Sequence, residues 1–226
     1  MKTPAHVLPA DIERSSMAII TKELEQRGIY IPEEQRAVVL RAIHTTADFD
    51  YAENLRFTEG AMTRSLAYLR AGSPVIITDA NMSLAGISKP SLEKLGGSLY
   101  CFTGNPAIRE AARKNGTTRA AAGIAYAADN YPDAVFVIGN APTALFHLAD
   151  RIGKGLRPAL VIGVPVGFVN VCESKEEILA ACTRYEVPAV VAMGRKGGSN
   201  VAAAIMNALL YTATDMVDPA KRGWQG

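Results

Sequence analysis

Between Pro9 and Gly72, apolar side chains recur three and four residues apart in "PADIERSSMAIITKELEQRG", "PEEQRAVVLRAIHTT" and "TEGAMTRSLAYLRAG". That spacing lines one face of an α-helix, and Gly28 and Gly72 close the first and third segments as stop signals. No strand is expected over residues 1–72. From Pro74 the pattern changes to short β-branched runs: "PVIITD", "SLYCFTG", "DAVFVIGN", "PALVIGV" and "VPAVVAMG". Such runs suit strands buried on both faces. Helical segments separate them, several opening on a cap residue such as Ser88 or Asn105 with proline close behind.

Strand and helix in alternation predict parallel pairing through right-handed crossovers. With five strands, the doubly wound orders reduce to 2-1-3-4-5, a flavodoxin-like three-layer α/β sandwich. The expectation is one domain over residues 1–226: a helical lead-in (1–72), the doubly wound part (73–213) and a loosely attached tail (214–226). In that tail Trp224 offers a packing group. A sheet of this kind binds ligand beyond the carboxyl ends of its strands, at the point where the strand order reverses. Asp79 to Met82 and Gly139 to Thr143 fall there.

Composition narrows the class. At 226 residues and 49% hydrophobic, the chain is long enough for one large core. Its net charge of +2 provides no global field for nucleic acid or an acidic membrane, so an anionic partner has to be held locally. "MKTPAHVLPADIERSS" lacks the basic-then-apolar order of a signal peptide, and no apolar run reaches the ~18 residues of a membrane span. A cytoplasmic protein is expected. Cys101, Cys172 and Cys182 show neither metal nor disulfide spacing and read as buried thiols.

The loops carry the candidate chemistry. In "GNAPTAL", Gly139 lets backbone or ligand approach, and Pro142 presets a helix whose first N–H groups, with Asn140 and Thr143 beside them, form an anion cradle or an ordinary strand-to-helix turn. "GVPVGFVNVCESK", with Gly167 and Lys175, is long for an α/β connection, and "GRKGGS" brings Arg195 and Lys196 to the same edge. The latter is no Walker loop, and no GxGxxG follows the first strand. Nucleotide readings are therefore poor, and the loops suit a large, flat, polyanionic organic ligand. Asp79 is either a functional carboxylate or a turn cap, and Arg119 sits on an alanine-rich face with room beside it. His147 reads as structural and His6 as part of a frayed terminus. His44 lies at a helix C-terminus, where the dipole favours the imidazolium, so it is either a proton donor at neutral pH or a C-terminal cap. Asp48 and Asp50 have no assigned role.

Taken together, "HTTADFD", "ITDANMSLAGI", "NGTTRAAAG", "IGNAPTALF", "GVPVGFVNVCESK" and "GRKGGSNVAAAIMNAL" resemble the precorrin-8X methylmutase family across nearly the whole chain. Ala47 stands where many members carry glycine. The resemblance implies a flavodoxin-like homodimer with its active site near the interface and no cofactor or protein-bound metal. It also implies a corrinoid tetrapyrrole substrate whose methyl group moves from C11 to C12 in a [1,5]-sigmatropic shift. It assigns the catalytic proton to His44 and the carboxylate arms to Arg119, Arg195, Lys175 and loop N–H groups, and it places Ser16 on the pocket wall. Two other classes compete: a tetrapyrrole carrier without turnover, and a phosphoacceptor protein using Asp79.

Overall fold

The structure, a computed structural model, describes residues 8–222, so His6 and Trp224 lie outside the described residues. Helices α1 (Pro9–Gln26), α2 (Glu33–Thr46) and the short α3 (Tyr51–Asn54) open the chain. A strand follows, β1 (Leu55–Phe57), before α4 (Ala61–Arg70). Next come β2 (Val75–Thr78), α5 (Asn81–Gly86), α6 (Lys89–Lys94), β3 (Ser98–Tyr100), α7 (Pro106–Lys114) and α8 (Arg119–Asn130). The chain continues with β4 (Val135–Ile138), α9 (Pro142–Gly153), β5 (Leu160–Gly163), α10 (Val171–Arg184), β6 (Ala189–Ala192) and α11 (Ser199–Ala213). A 3₁₀ turn at Pro219–Arg222 completes it.

The strands form one sheet in the order β1-β6-β5-β4-β2-β3. The parallel strands β2 to β6 keep the mutual order expected from the sequence. The sheet nevertheless has six strands, not five, because β1 pairs antiparallel with β6, Leu55 opposite Ala192. Three residues give no readable alternation, which is why this edge strand was hidden in a helical stretch. Its inward Leu55 joins the core while Arg56 stays exposed.

Core side chains divide by the two-residue period of the strands. Val135 and Val137 of β4 face α11 and the lead-in helices, and Phe136 and Ile138 face α8, α9 and α10. α11 is apolar nearly all round because the sheet covers one side and α2 the other. That arrangement seats α2 along α11, with His44 of its last turn sharing a cavity with Asn200, Ala204 and Asn207.

Two expectations about single groups change. The described end of the tail is firmly docked: Asp218 accepts a 2.9 Å bond from Arg14, and the Arg222 side chain, 4% exposed, grips Glu13 of α1. Of the cysteines, Cys182 alone is buried, its thiol pushed up to about 12 by burial, while Cys101 and Cys172 are half-buried.

Candidate active site

His44 sits one residue before the final pair of α2, and the helix ends on Ala47 in the left-handed region at φ 54°. An alanine there carries strain that glycine avoids. His44 lines two cavities. The larger, about 450 Å³, is walled by Ile12 and Glu13 of α1, Arg41 of α2, Gly86, and Asn200, Asn207 and Tyr211 of α11. The smaller, about 310 Å³, is lined by Ser16, Ile19, Glu23 and Phe49. Ser16 thus reaches the same cleft, its hydroxyl donating to the Ile12 carbonyl at 2.8 Å.

Glu13 is the buried charge of this cleft. Its carboxylate accepts from Arg41 at 2.7 Å and from two nitrogens of Arg222, at 2.5 and 3.1 Å. Burial alone would raise its pKa; the Arg222 and Arg41 bonds outweigh that and leave it lowered. Both guanidiniums also lie over the Tyr211 ring, 4.3 Å (Arg222) and 5.3 Å (Arg41) from its centroid.

The electrostatics of His44 run opposite to the helix-dipole expectation. Burial first, then the Arg41 cation, pull its pKa below the ordinary imidazole value, with Glu13 opposing and Arg222 adding to the fall. The dipole, worth at most ~2 kcal/mol in a partly buried setting, acts against these two effects. In this setting the neutral imidazole is favoured over the imidazolium.

The acidic residues after His44 have a partner that the sequence did not reveal. Lys196 bridges Asp48 at 2.6 Å and Asp50 at 2.5 Å, tying the segment after α2 to the β6–α11 loop. The Lys196 bond holds the Asp48 carboxyl low, and both carboxylates raise the Lys196 ammonium.

Three residues expected to meet a ligand make close contacts within the protein. Lys175 is fully buried, its Nζ donating to the carbonyls of Gly194 and Lys196 at 2.8 Å each, and burial pulls its pKa down to about 8. It holds the "GRKGGS" loop by two of its carbonyls. Asp79 is buried at the switch point, where its two oxygens accept the N–H groups of Gly139, Asn140 and Ala141 at 3.0, 2.9 and 2.6 Å. Burial raises its pKa and those three bonds oppose the rise. The N–H groups of the "GNAPTAL" turn are thus taken by the protein's own Asp79, as in an ordinary strand-to-helix turn. At 2% exposure the Asp79 carboxylate is closed off from solvent. Gly139 is needed for packing: a Cβ would stand 2.8 Å from the Ala202 Cβ and 2.9 Å from the Ser199 Cα.

The remaining expected residues ring the carboxyl edge of the sheet. Met82, Arg119, Asn140 and Arg195 are exposed, and Thr143 hydrogen-bonds Thr118 at 2.8 Å, joining the starts of α9 and α8. Arg195 lies 5.5 Å from the centroid of Phe168, whose side chain is 84% exposed. Gly167 makes the turn beneath it at φ 147°, its N–H donating to the Arg195 carbonyl at 3.3 Å. Sequence reasoning missed Glu13, Arg41, Asn207, Tyr211 and Arg222. Arg41 was within reach, since it lies three residues before His44 and so shares its helix face. Among the described residues, no helix is long and apolar enough to cross a membrane, and no group of three His, Cys, Asp or Glu side chains is placed to hold a metal.

Comparison with known proteins gives a consistent result. The family model described as precorrin-8X methylmutase matches residues 11–212, ending before the turn that carries Arg222. The cobalt-precorrin-8 methylmutase of Salmonella typhimurium is 43% identical over 207 residues, covering 90% of this chain and 95% of that one. The precorrin-8X methylmutase of Pseudomonas aeruginosa is 39% identical over 199 residues, covering 88% and 93%. The crystal structure of precorrin-8X methyl mutase from Thermus thermophilus superposes with a TM-score of 0.79 at 38% identity, over 90% of this chain and 98% of that one.

Proposed function

The chain belongs to the precorrin-8X methylmutase family, and from that membership and the cleft at His44 we infer an isomerase of cobalamin biosynthesis, which moves a methyl group within a corrinoid ring. The conversion is of precorrin-8X or cobalt-precorrin-8 to hydrogenobyrinate or cobyrinate. The comparisons lend nothing to a carrier without turnover.

In this reading His44 is the catalytic group. A sigmatropic shift from C11 to C12 forms no acyl or phosphoryl intermediate, so the protein has to hold the ring, shape it and supply a proton or hydrogen bond near the ring C nitrogen. The observation that carries the reading is that His44 lines both cavities. Its proton supply follows from charge. The substrate's acetate and propionate arms bring several negative charges close to an imidazole whose neutral form burial and Arg41 favour, and they raise its pKa as binding proceeds. Arg119 and Arg195, exposed at the sheet edge, receive carboxylate arms, with Ser16 and Thr143 adding hydroxyls. Met82, 75% exposed, and the Asn140 side chain lie on the same rim.

We further propose a cytoplasmic homodimer with the active site near its interface. The support is apolar surface at the carboxyl edge of the sheet, where Phe168, Val169 and Met82 stand exposed. Incubating the purified protein with metal-free and with cobalt-containing precursor, and following the visible spectrum, tests the reaction and decides between the two substrates. No spectral change with either would overturn it.

A further inference from the structure

The Glu13 cluster is more than a salt bridge at the protein surface. The side chains of Arg222 and Glu13 are both buried, 4% and 5% exposed. Arg41, 13% exposed, shares the same Glu13 oxygen. Tyr211 fills the space beneath both guanidiniums. Glu13, Arg41 and Tyr211 also wall the cavity that His44 lines. Breaking such a buried pair on one side leaves a charge without its partner, so the position of Arg41 depends on what holds Glu13.

We propose that Arg222 is a positioning residue of the catalytic cleft: by gripping Glu13 it fixes Arg41 against the wall one helical turn from His44, making the C-terminal turn a working part of the site. The assignment rests on the reading of His44 as the catalytic group. The charged groups facing His44 are Glu13 of α1, Arg41 of its own helix and Arg222 of the C-terminal turn, with Glu23 of α1, paired with Arg27, lining the smaller cavity. α11 contributes only the uncharged Asn200, Asn207 and Tyr211. Removing Arg222 takes one cation from this set; removing Glu13 takes the anion that opposes the cations.

NMR titration of the His44 ring in the full chain without substrate, its signal assigned with His44→Ala, reads the network independently of turnover. Arg222→Met is expected to move the His44 midpoint up and lower kcat/KM about tenfold or more, the scale of a small misplacement. Arg222→Lys should restore the midpoint and much of the activity, and Glu13→Gln should move the midpoint down. An unmoved midpoint in Arg222→Met overturns the assignment whatever the activity does. Where that variant does not fold, Glu13→Gln decides, an unmoved midpoint again overturning it. A wild-type protein without turnover would instead defeat the reading of the function, leaving the titration result intact.

Discussion

The Nζ of Lys196 lies 2.6 Å from Oδ2 of Asp48, four residues beyond His44. The contact links a loop that follows β6 to the segment that ends α2, and Asp50 closes the second arm of the bridge. From below, Lys175 holds that loop by two of its carbonyls, one being that of Lys196 itself. A buried lysine, an exposed lysine and two aspartates thus connect the sheet to the helix end that carries His44.

If that connection positions the histidine, Lys196→Met should lower kcat/KM several-fold, on the order of 3 to 10, as small displacements of a catalytic group do. Its melting temperature should barely change, because an exposed bridge contributes little to stability. Steady-state rates beside a thermal melt check both; unchanged kinetics would remove the bridge from the account.

Asp79 makes a different prediction. Replacing it with alanine leaves three N–H groups at the switch point without their acceptor, at a cost on the order of 3 to 5 kcal/mol. Urea unfolding measures this. A loss below about 1 kcal/mol would mean that water satisfies the turn and that Asp79 is free for another task.

Lys175 titrates near 8 in the folded protein and near ~10.4 when unfolded. Between those values the unfolded chain binds more protons, so the contribution of Lys175 to stability increases with pH. The stability of the wild type relative to Lys175→Met should therefore rise from about pH 8 to about pH 10. A difference that stays flat over that window would place the lysine in water.

For His44, burial and Arg41 set the direction. Its midpoint in the unliganded protein should lie below the ~6.5 of a free imidazole and rise when the polycarboxylate product binds. NMR titration with and without hydrogenobyrinate checks this, and a midpoint that falls on binding would reverse the electrostatic argument.

Much of this architecture was legible in the chain. The runs from "PVIITD" to "VPAVVAMG" carry parallel strands; in β2, β4, β5 and β6 burial on both faces leaves a purely apolar signature, whereas β3, at the sheet edge, is only partly buried, and Asn105 and Ser88 cap helices as read. β1 was not legible, since three residues of an edge strand alternate too briefly. Within the site, the helix-end position of His44 was readable but its charge state was not: that depends on Glu13 and Arg222, far from it in sequence. The same limit explains Lys175 and Asp79. A glycine-rich loop with a lysine, or a strand-end aspartate, reads alike whether its polar groups face a ligand or each other.

The most direct test of the central claim is His44→Ala assayed for both binding and turnover. The account predicts that the variant still binds the corrinoid product, since Arg119, Arg195 and the cavity walls remain, and that conversion of precorrin-8 is lost. Turnover at the wild-type rate in His44→Ala would contradict it.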